Sequence, residues 1–422
     1  MNNALTNRLW NRNFSLLVFG QIVSIFGNMV LSFALPLYIL DISESATLFG
    51  LVLSLPYISL IITSPIGGII ADRLRKQRIM FWLDAITTGI IVLYMIASGF
   101  IAAAVPLVIV KLMALNAIQG LYMPAVQSAV PSLVPTEKLV PANSVTTMIN
   151  MFSSMAGMAV AGIVYERFGL YPILIVAAVC FAITAVMDLL IKIPYNKPEP
   201  SDSMINMVKT DIVQSIKYMV NEKPIIAVCA FVSFLVQLTL VPMILVGIPV
   251  LVTQHLGFGM DFVGYSQSFM MVGGLAGGIA AGTLSAKLGV KKLPVMLVIA
   301  CLLFGIIGIP FVVDTAPFTA YLIITIATAV AMSVVQMVSI PIMAYVQAET
   351  PSDLIGKVMS LFLILPFISS AVGSLIYGVL YEQFKAVPWV VVFGTVFLSS
   401  LVAIYMYKGF KRANGKSATQ SV

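Results

Sequence analysis

Apolar residues run along this chain in long stretches parted by short clusters of charges, prolines and glycines. They do not alternate at the period of a half-buried strand, nor do they form a narrow helical stripe. The stretches lie near 14–40, 46–70, 79–98, 103–128, 143–165 and 170–191, and then near 224–252, 260–284, 293–313, 317–345, 358–381 and 387–407. Each reaches the roughly 20 residues that a helix rising about 1.5 Å per residue needs to cross about 30 Å of hydrocarbon. A segment in lipid must satisfy its own backbone groups, and the dyad alternation of barrel strands is missing. The pattern therefore predicts an all-α membrane protein with twelve transmembrane helices.

The longest polar interval falls after the sixth run. It predicts a first six-helix bundle over 1–193, a cytoplasmic linker over 194–223 and a second six-helix bundle over 224–422. Asn196, Lys197, Pro198, Glu199, Pro200, Ser201 and Asp202 read as flexible linker. Met204, Val208, Ile212, Ile216 and Met219 then recur at helical spacing, which predicts an amphipathic helix lying on the membrane or on the bundle, with partner binding as the alternative. The halves repeat weakly. Gly68, Ala71, Arg73 and Leu74 match Gly282, Ser285, Lys287 and Leu288, and Pro135, Thr136, Glu137 and Leu139 match Pro351, Ser352, Asp353 and Ile355 at nearly the same offset. A duplicated unit of this kind predicts pseudo-symmetric bundles with a site where the repeats face each other.

Composition removes the soluble alternatives: 60% hydrophobic residues, 9% charged residues and a mean hydropathy of +1.06 require lipid as solvent. Charge sets orientation. Of the 23 Lys and Arg residues, all but Lys111, Arg167 and Lys385 fall on one side of the predicted topology, which by the positive-inside rule is the cytoplasm and holds both termini. The net charge of +7 follows from that rule and suits anionic headgroups rather than nucleic acid. A single histidine, His255, and the scattered Cys180, Cys229 and Cys301 offer no metal-ligand spacing, disulfide framework or Ser-His arrangement. No GxxxxGK[ST] loop is present. An enzyme and an ATP-driven pump are thereby disfavoured, and no catalytic residue, metal or cofactor is expected.

Between the second and third runs stands Gly68-Ile-Ile-Ala71-Asp72-Arg73-Leu-Arg75-Lys76-Gln-Arg78. This resembles the signature loop of the major facilitator superfamily, with Arg75 at the family's usual glycine; the plain alternative is a positive-inside loop. The resemblance implies the twelve-helix fold of that family, transport by alternating access, and a cytoplasmic latch built on Gly68, Asp72, Arg73, Lys76 and Arg78. Gly67 and Gly68 would let helix ends approach closely. Gln21, Ser24, Phe26, Gly27 and Asn28 resemble the first span of the macrolide-efflux-like branch, a group of drug and siderophore exporters. Met123-Pro124-Ala125, Pro131, Leu133, Val134, Pro135, Glu137, Ala142 and Asn143 resemble its fourth span and the following loop. The branch implies a small-molecule substrate, a proton gradient as energy source and a bacterial plasma (inner) membrane location; a functional monomer is expected because the two halves already supply the interface that builds the site.

Ionisable residues within a membrane are functional candidates, and here they are few. Lys111 in the fourth run could pair with an anionic substrate or gate, or snorkel outward. Asn116 and Gly120 occupy an element that many drug:proton antiporters write as Arg-x-x-x-Gly, and Asn28 stands where related exporters often have Asp. Amides do not titrate. Asp84 is the preferred proton carrier, with pairing to Arg75 or Arg78 as the structural alternative, and Asp188 reads as a helix-end carboxylate. Gln21, Gln119, Asn150, Gln237, Gln267 and Gln336 are candidate cavity amides. The function expected is proton-coupled efflux of small amphipathic compounds. The alternatives are an importer or lipid or metabolite carrier of the same fold, and a receptor or scaffold that transports nothing.

Overall fold

The computed structural model describes residues 9–97, 104–193, 214–284, 292–313, 315–351 and 354–419. Most of the amphipathic segment expected over 204–219 lies outside these residues; of its apolar positions, Ile216 is exposed and Met219 buried.

Twelve long helices follow one another among the described residues. They are α1 (Arg12–Ser43), α2 (Ala46–Arg73), α3 (Lys76–Ala97), α4 (Ala104–Leu133), α5 (Leu139–Phe168), α6 (Leu170–Leu190), α7 (Pro224–Val250), α8 (Met260–Leu284), α9 (Leu293–Gly305, continued by a tighter 3-10 turn over Ile306–Phe311), α10 (Pro317–Glu349), α11 (Ile355–Gln383) and α12 (Pro388–Thr419). Eleven are long and apolar enough to cross a membrane. The exception is α8, whose apolar character is diluted by Ser266, Gln267, Ser268 and the glycines Gly273, Gly274, Gly277 and Gly278.

Local chemistry fixes the helix ends. Asn11 caps α1 by accepting from the Phe14 N–H at 3.0 Å, and its amide donates to the Leu133 carbonyl at 2.7 Å, tying the start of α1 to the end of α4. Ser45 caps α2, and Glu44 before it takes a left-handed conformation (φ 50°) that closes α1. Gly169 (φ 73°) turns α5 into α6 with a backbone conformation that a side chain would strain.

The chain divides into two compact units, Met1–Glu199 with Phe258–Ser268 and Pro200–Gly257 with Phe269–Val422. Within the first, α1 packs on α5 and α6, α2 on α4, and α3 on α4 and α6. The core at the end where α1 begins gathers Phe14, Leu17, Met80, Leu83, Ala125, Ala129 and Leu133. Small residues set the closest crossings, as expected where dispersion rather than water expulsion drives helix association. A Cβ on Gly67 would meet the Gly120 carbonyl and the Leu121 Cα, whereas one on Gly68 would meet nothing within 4 Å. The close approach expected of both glycines therefore belongs to Gly67 alone, because one residue turns the helix face by about 100°. In the same unit, Glu166 accepts from the Met260 N–H at 2.7 Å and Ser268 donates to the Met155 carbonyl at 3.0 Å. Gly162 and Gly264 face each other there without side chains.

Within the second unit α7 packs on α11 and α12, and α9 on α10 and α12. Gly273 and Gly277 bring α8 against the backbone of Ala329 and Ser333 of α10, and the Ser333 hydroxyl donates to the Gly273 carbonyl at 2.6 Å. Cys229 and Cys301 are buried here, and Cys180 is half-buried in the first unit beside Gly27.

Candidate functional site

The first unit encloses a cavity of about 360 Å³ between α1, α4 and α5. Gln21, Ser24 and Asn28 come from α1, where spacings of three and four residues place them on one face. Gln119, Tyr122, Met123, Val126, Gln127 and Val130 come from α4, and Asn143, Thr146, Thr147 and Asn150 from α5. The structure thus brings Gln21, Asn28, Gln119 and Asn150 together. Sequence reasoning did not propose Tyr122, Gln127, Thr146 or Thr147 as wall residues. Their helical register with Gln119 and Asn143 was the available signal.

Hydrogen bonding sorts these amides. The Asn150 amide donates to the Thr146 carbonyl at 2.8 Å, and Thr146 and Thr147 donate to the Asn143 carbonyl at 2.9 and 2.8 Å, so part of the α5 wall is satisfied internally. Gln21 is 6% exposed and its Oε1 has no partner among the described residues. A buried carbonyl without a donor is costly, and it presents an acceptor to whatever enters the cavity. Asn116 lies one turn before Gln119 on α4 and spends its amide on the Leu112 carbonyl at 3.0 Å.

Two buried ionisable features lie in the same unit. Lys111 is 3% exposed, and its Nζ sits 4.0 Å from the centroid of the Tyr94 ring on α3. It neither reaches the polar cavity nor snorkels out. Asp84 on α3 is buried and interacts with Thr184 and Asp188 of α6, not with Arg75 or Arg78, which are exposed. Asp188, read from sequence as a helix-end carboxylate, is equally buried. A small void lined by Ser24, Asn28, Asp84, Thr87, Gln119 and Tyr122 adjoins the pair.

Of the residues expected to form a latch, the Asp72 side chain lies outside those described. Arg73 and Arg78 are exposed, and Lys76 donates to the Ser128 carbonyl at 2.6 Å, binding the start of α3 to the last turns of α4. A cation at carbonyls near a helix C-terminus is favourable in its own right.

In the second unit, Gln237 and Gln336 line a separate cavity of about 280 Å³ with Ser233, Ser339, Met332, Met343 and Phe362. Gln267 is buried.

Among the described residues the chain is helical without strands, its segments are of membrane length and each unit carries a polar cavity, as in a polytopic membrane transporter. Residues 17–374 match the family model described as Major Facilitator Superfamily, and the chain belongs to that family. Its members are transporters, not enzymes. The chain is 23% identical over 185 residues to macrolide efflux protein A of Streptococcus pyogenes, which covers 44% of this chain and 46% of that protein. It is 25% identical over 193 residues to the multidrug resistance protein MdtG of Proteus mirabilis (strain HI4320), again 44% and 46% of the two chains. The matched region thus spans about half the length of these curated relatives. In three dimensions the chain resembles the nucleoside transporter NupG (TM-score 0.74, 13% identity, 95% of this chain and 100% of the other). It also resembles a bacterial homologue of the iron transporter ferroportin (TM-score 0.73, 17% identity, 94% and 98%). These likenesses show the shared fold.

Proposed function

We propose that this protein is a secondary exporter that expels small amphipathic compounds across a bacterial inner membrane by alternating access, driven by the proton gradient. The two six-helix bundles, 1–193 and 224–422, work as one functional monomer with both termini in the cytoplasm, and the Gly68–Arg78 loop serves as the conformational latch. The supporting observation is the lining of the 360 Å³ cavity. Amides and hydroxyls from Gln21, Ser24, Asn28, Gln119, Asn143 and Asn150 alternate with Ile25, Met29 and Met123, and no Asp, Glu, Lys or Arg is among the lining residues. Such a wall satisfies the polar atoms of an uncharged or charge-delocalised molecule while flexible thioethers adapt to its apolar body. The partial similarity to proteins named for macrolide efflux and multidrug resistance favours export.

A second reading is an importer or carrier of an uncharged, hydroxyl-rich metabolite, because the same amides suit a polyol. Accumulation of erythromycin, ethidium and rhodamine 6G in loaded cells distinguishes the two. Cells making the protein retain less of at least one compound than vector controls, and a protonophore abolishes the difference. Equal retention across the panel, with the protein shown to be in the membrane, rejects the exporter and leaves the metabolite carrier.

A further inference from the structure

Asp84 and Asp188 are each 2% exposed, and α3 and α6 place their carboxyl groups within hydrogen-bonding reach of each other. Oδ2 of each has no partner among the described residues. Two ionised carboxylates have only acceptors, so a hydrogen bond between them requires a proton on one of the two. Thr184 of α6 also neighbours Asp84, and its hydroxyl donates to the Phe181 carbonyl at 3.0 Å.

Among the described residues, no cation neutralises the pair. From α1 the nearby groups are Ser24 and Asn28, both uncharged. From α4 comes Tyr122, whose hydroxyl is linked to Ser24. From α6 come Asp188 and Thr184 themselves, while among the described residues α2 and α5 place no titratable group on the pair. Among the described residues of this unit the buried cation is Lys111, which sits over Tyr94, ten residues or about 15 Å farther along α3. Two negative charges side by side in a membrane-embedded bundle repel and lose solvation together, and one proton removes both penalties.

We infer that Asp84 and Asp188 form a proton-binding site that holds one exchangeable proton between their carboxyl groups beside the polar cavity. Access is through the small void at Asp84, about 10 Å³, close to the least that accommodates one water. Its walls Ser24, Asn28, Gln119 and Tyr122 are also walls of the 360 Å³ cavity. Cargo in that cavity therefore touches the layer that screens the carboxyls, and the two ligands communicate through Tyr122 and Ser24. The part this site plays in transport rests on the proton coupling proposed above. The protonation itself is measured without cargo.

The experiment is infrared difference spectroscopy of the full-length protein in liposomes through a pH titration, in H₂O and in D₂O. Wild type gives a protonated-carboxyl C=O band that shifts in D₂O and disappears at alkaline pH. Asp84→Asn and Asp188→Asn each lose it with the helical amide signal intact. Should either Asn variant fail to fold, Asp84→Glu and Asp188→Glu decide, since a carboxyl moved by one methylene shifts the band. A wild-type spectrum without such a band, or a band unchanged in the variants, overturns the site. If the band behaves as stated while wild-type efflux is indifferent to a protonophore, the coupling proposal fails and the proton site stands.

Discussion

Lys111 holds its ammonium 4.0 Å from the centroid of the Tyr94 ring, a buried cation whose Nζ has no hydrogen-bond partner among the described residues. A desolvated cation over an aromatic face gains about 2 kcal/mol or more, which offsets only part of the cost of burying it. Lys111→Met is expected to raise the melting temperature in detergent. Tyr94→Leu should lower stability by about 2 kcal/mol in wild type and by much less once Lys111 is Met. A double-mutant cycle checks this, and additive effects would show that the ring does not hold the charge.

Gly67 and Gly68 are neighbours with opposite surroundings. Gly67→Ala drives a methyl into the α4 backbone and should cost about 1–3 kcal/mol by overpacking. Gly68→Ala should be tolerated or slightly stabilising, because alanine is the better helix former by about 1 kcal/mol. Folded yield and thermal melts of the two variants test the difference, and equal sensitivity would contradict the crossing described.

Gln21 predicts a trade between stability and transport. Its unsatisfied Oε1 is a burden in the resting protein. Gln21→Leu should leave stability unchanged or improved, since removing an unpaired buried acceptor is nearly neutral or favourable. The same change should reduce efflux of hydrogen-bond-donating cargo by roughly tenfold, the worth of one ordinary hydrogen bond. Melting temperature and transport kinetics, measured on one preparation, give both signs.

Lys223 and Glu349 form an ion pair at 2.5 Å with side chains 42% and 37% exposed, and the hydrogen bond to Glu349 raises the Lys223 pKa. A folded-state pKa above the unfolded value of about 10.4 gives stability that is fully present below that value and lost as pH rises through the folded one. The pair therefore adds nothing pH-dependent near neutrality. Because the side chains are this exposed, Glu349→Gln should cost less than about 1 kcal/mol. Tyr218 donates to the Glu349 backbone carbonyl at 2.7 Å and keeps its anchor in the variant. Chemical denaturation at neutral and strongly alkaline pH tests this: the difference between wild type and Glu349→Gln seen at neutral pH should vanish in alkali.

Much of the architecture was legible because membrane helices announce themselves by length and apolarity. All but one of the twelve satisfy that criterion, and the exception, α8, is a helix whose glycines and Gln267 trade hydropathy for close packing. Partners were less legible than positions. Asp188 sits among Leu189, Leu190 and Lys192 and reads as a helix-end charge, and only the packing of α6 on α3 turns it inward toward Asp84. Lys111 finds Tyr94 on another helix, a pairing no local spacing encodes. The contrast between Gly67 and Gly68 likewise depends on helix rotation, which is nearly invisible where apolar residues occupy every face.

The glycine crossings of α2 on α4 and of α8 on α10 bear on how easily these helices shift. Interdigitated side chains hold a helix pair in discrete notches, and each step along the axis must lift knobs out of holes through strained rotamers. Where Gly67 meets Gly120, and Gly273 and Gly277 meet the backbone of Ala329 and Ser333, there are few knobs to lift. Such seams act as plain bearings with a shallow energy profile along the helix axis, so small axial slides need little repacking of the cores on either side.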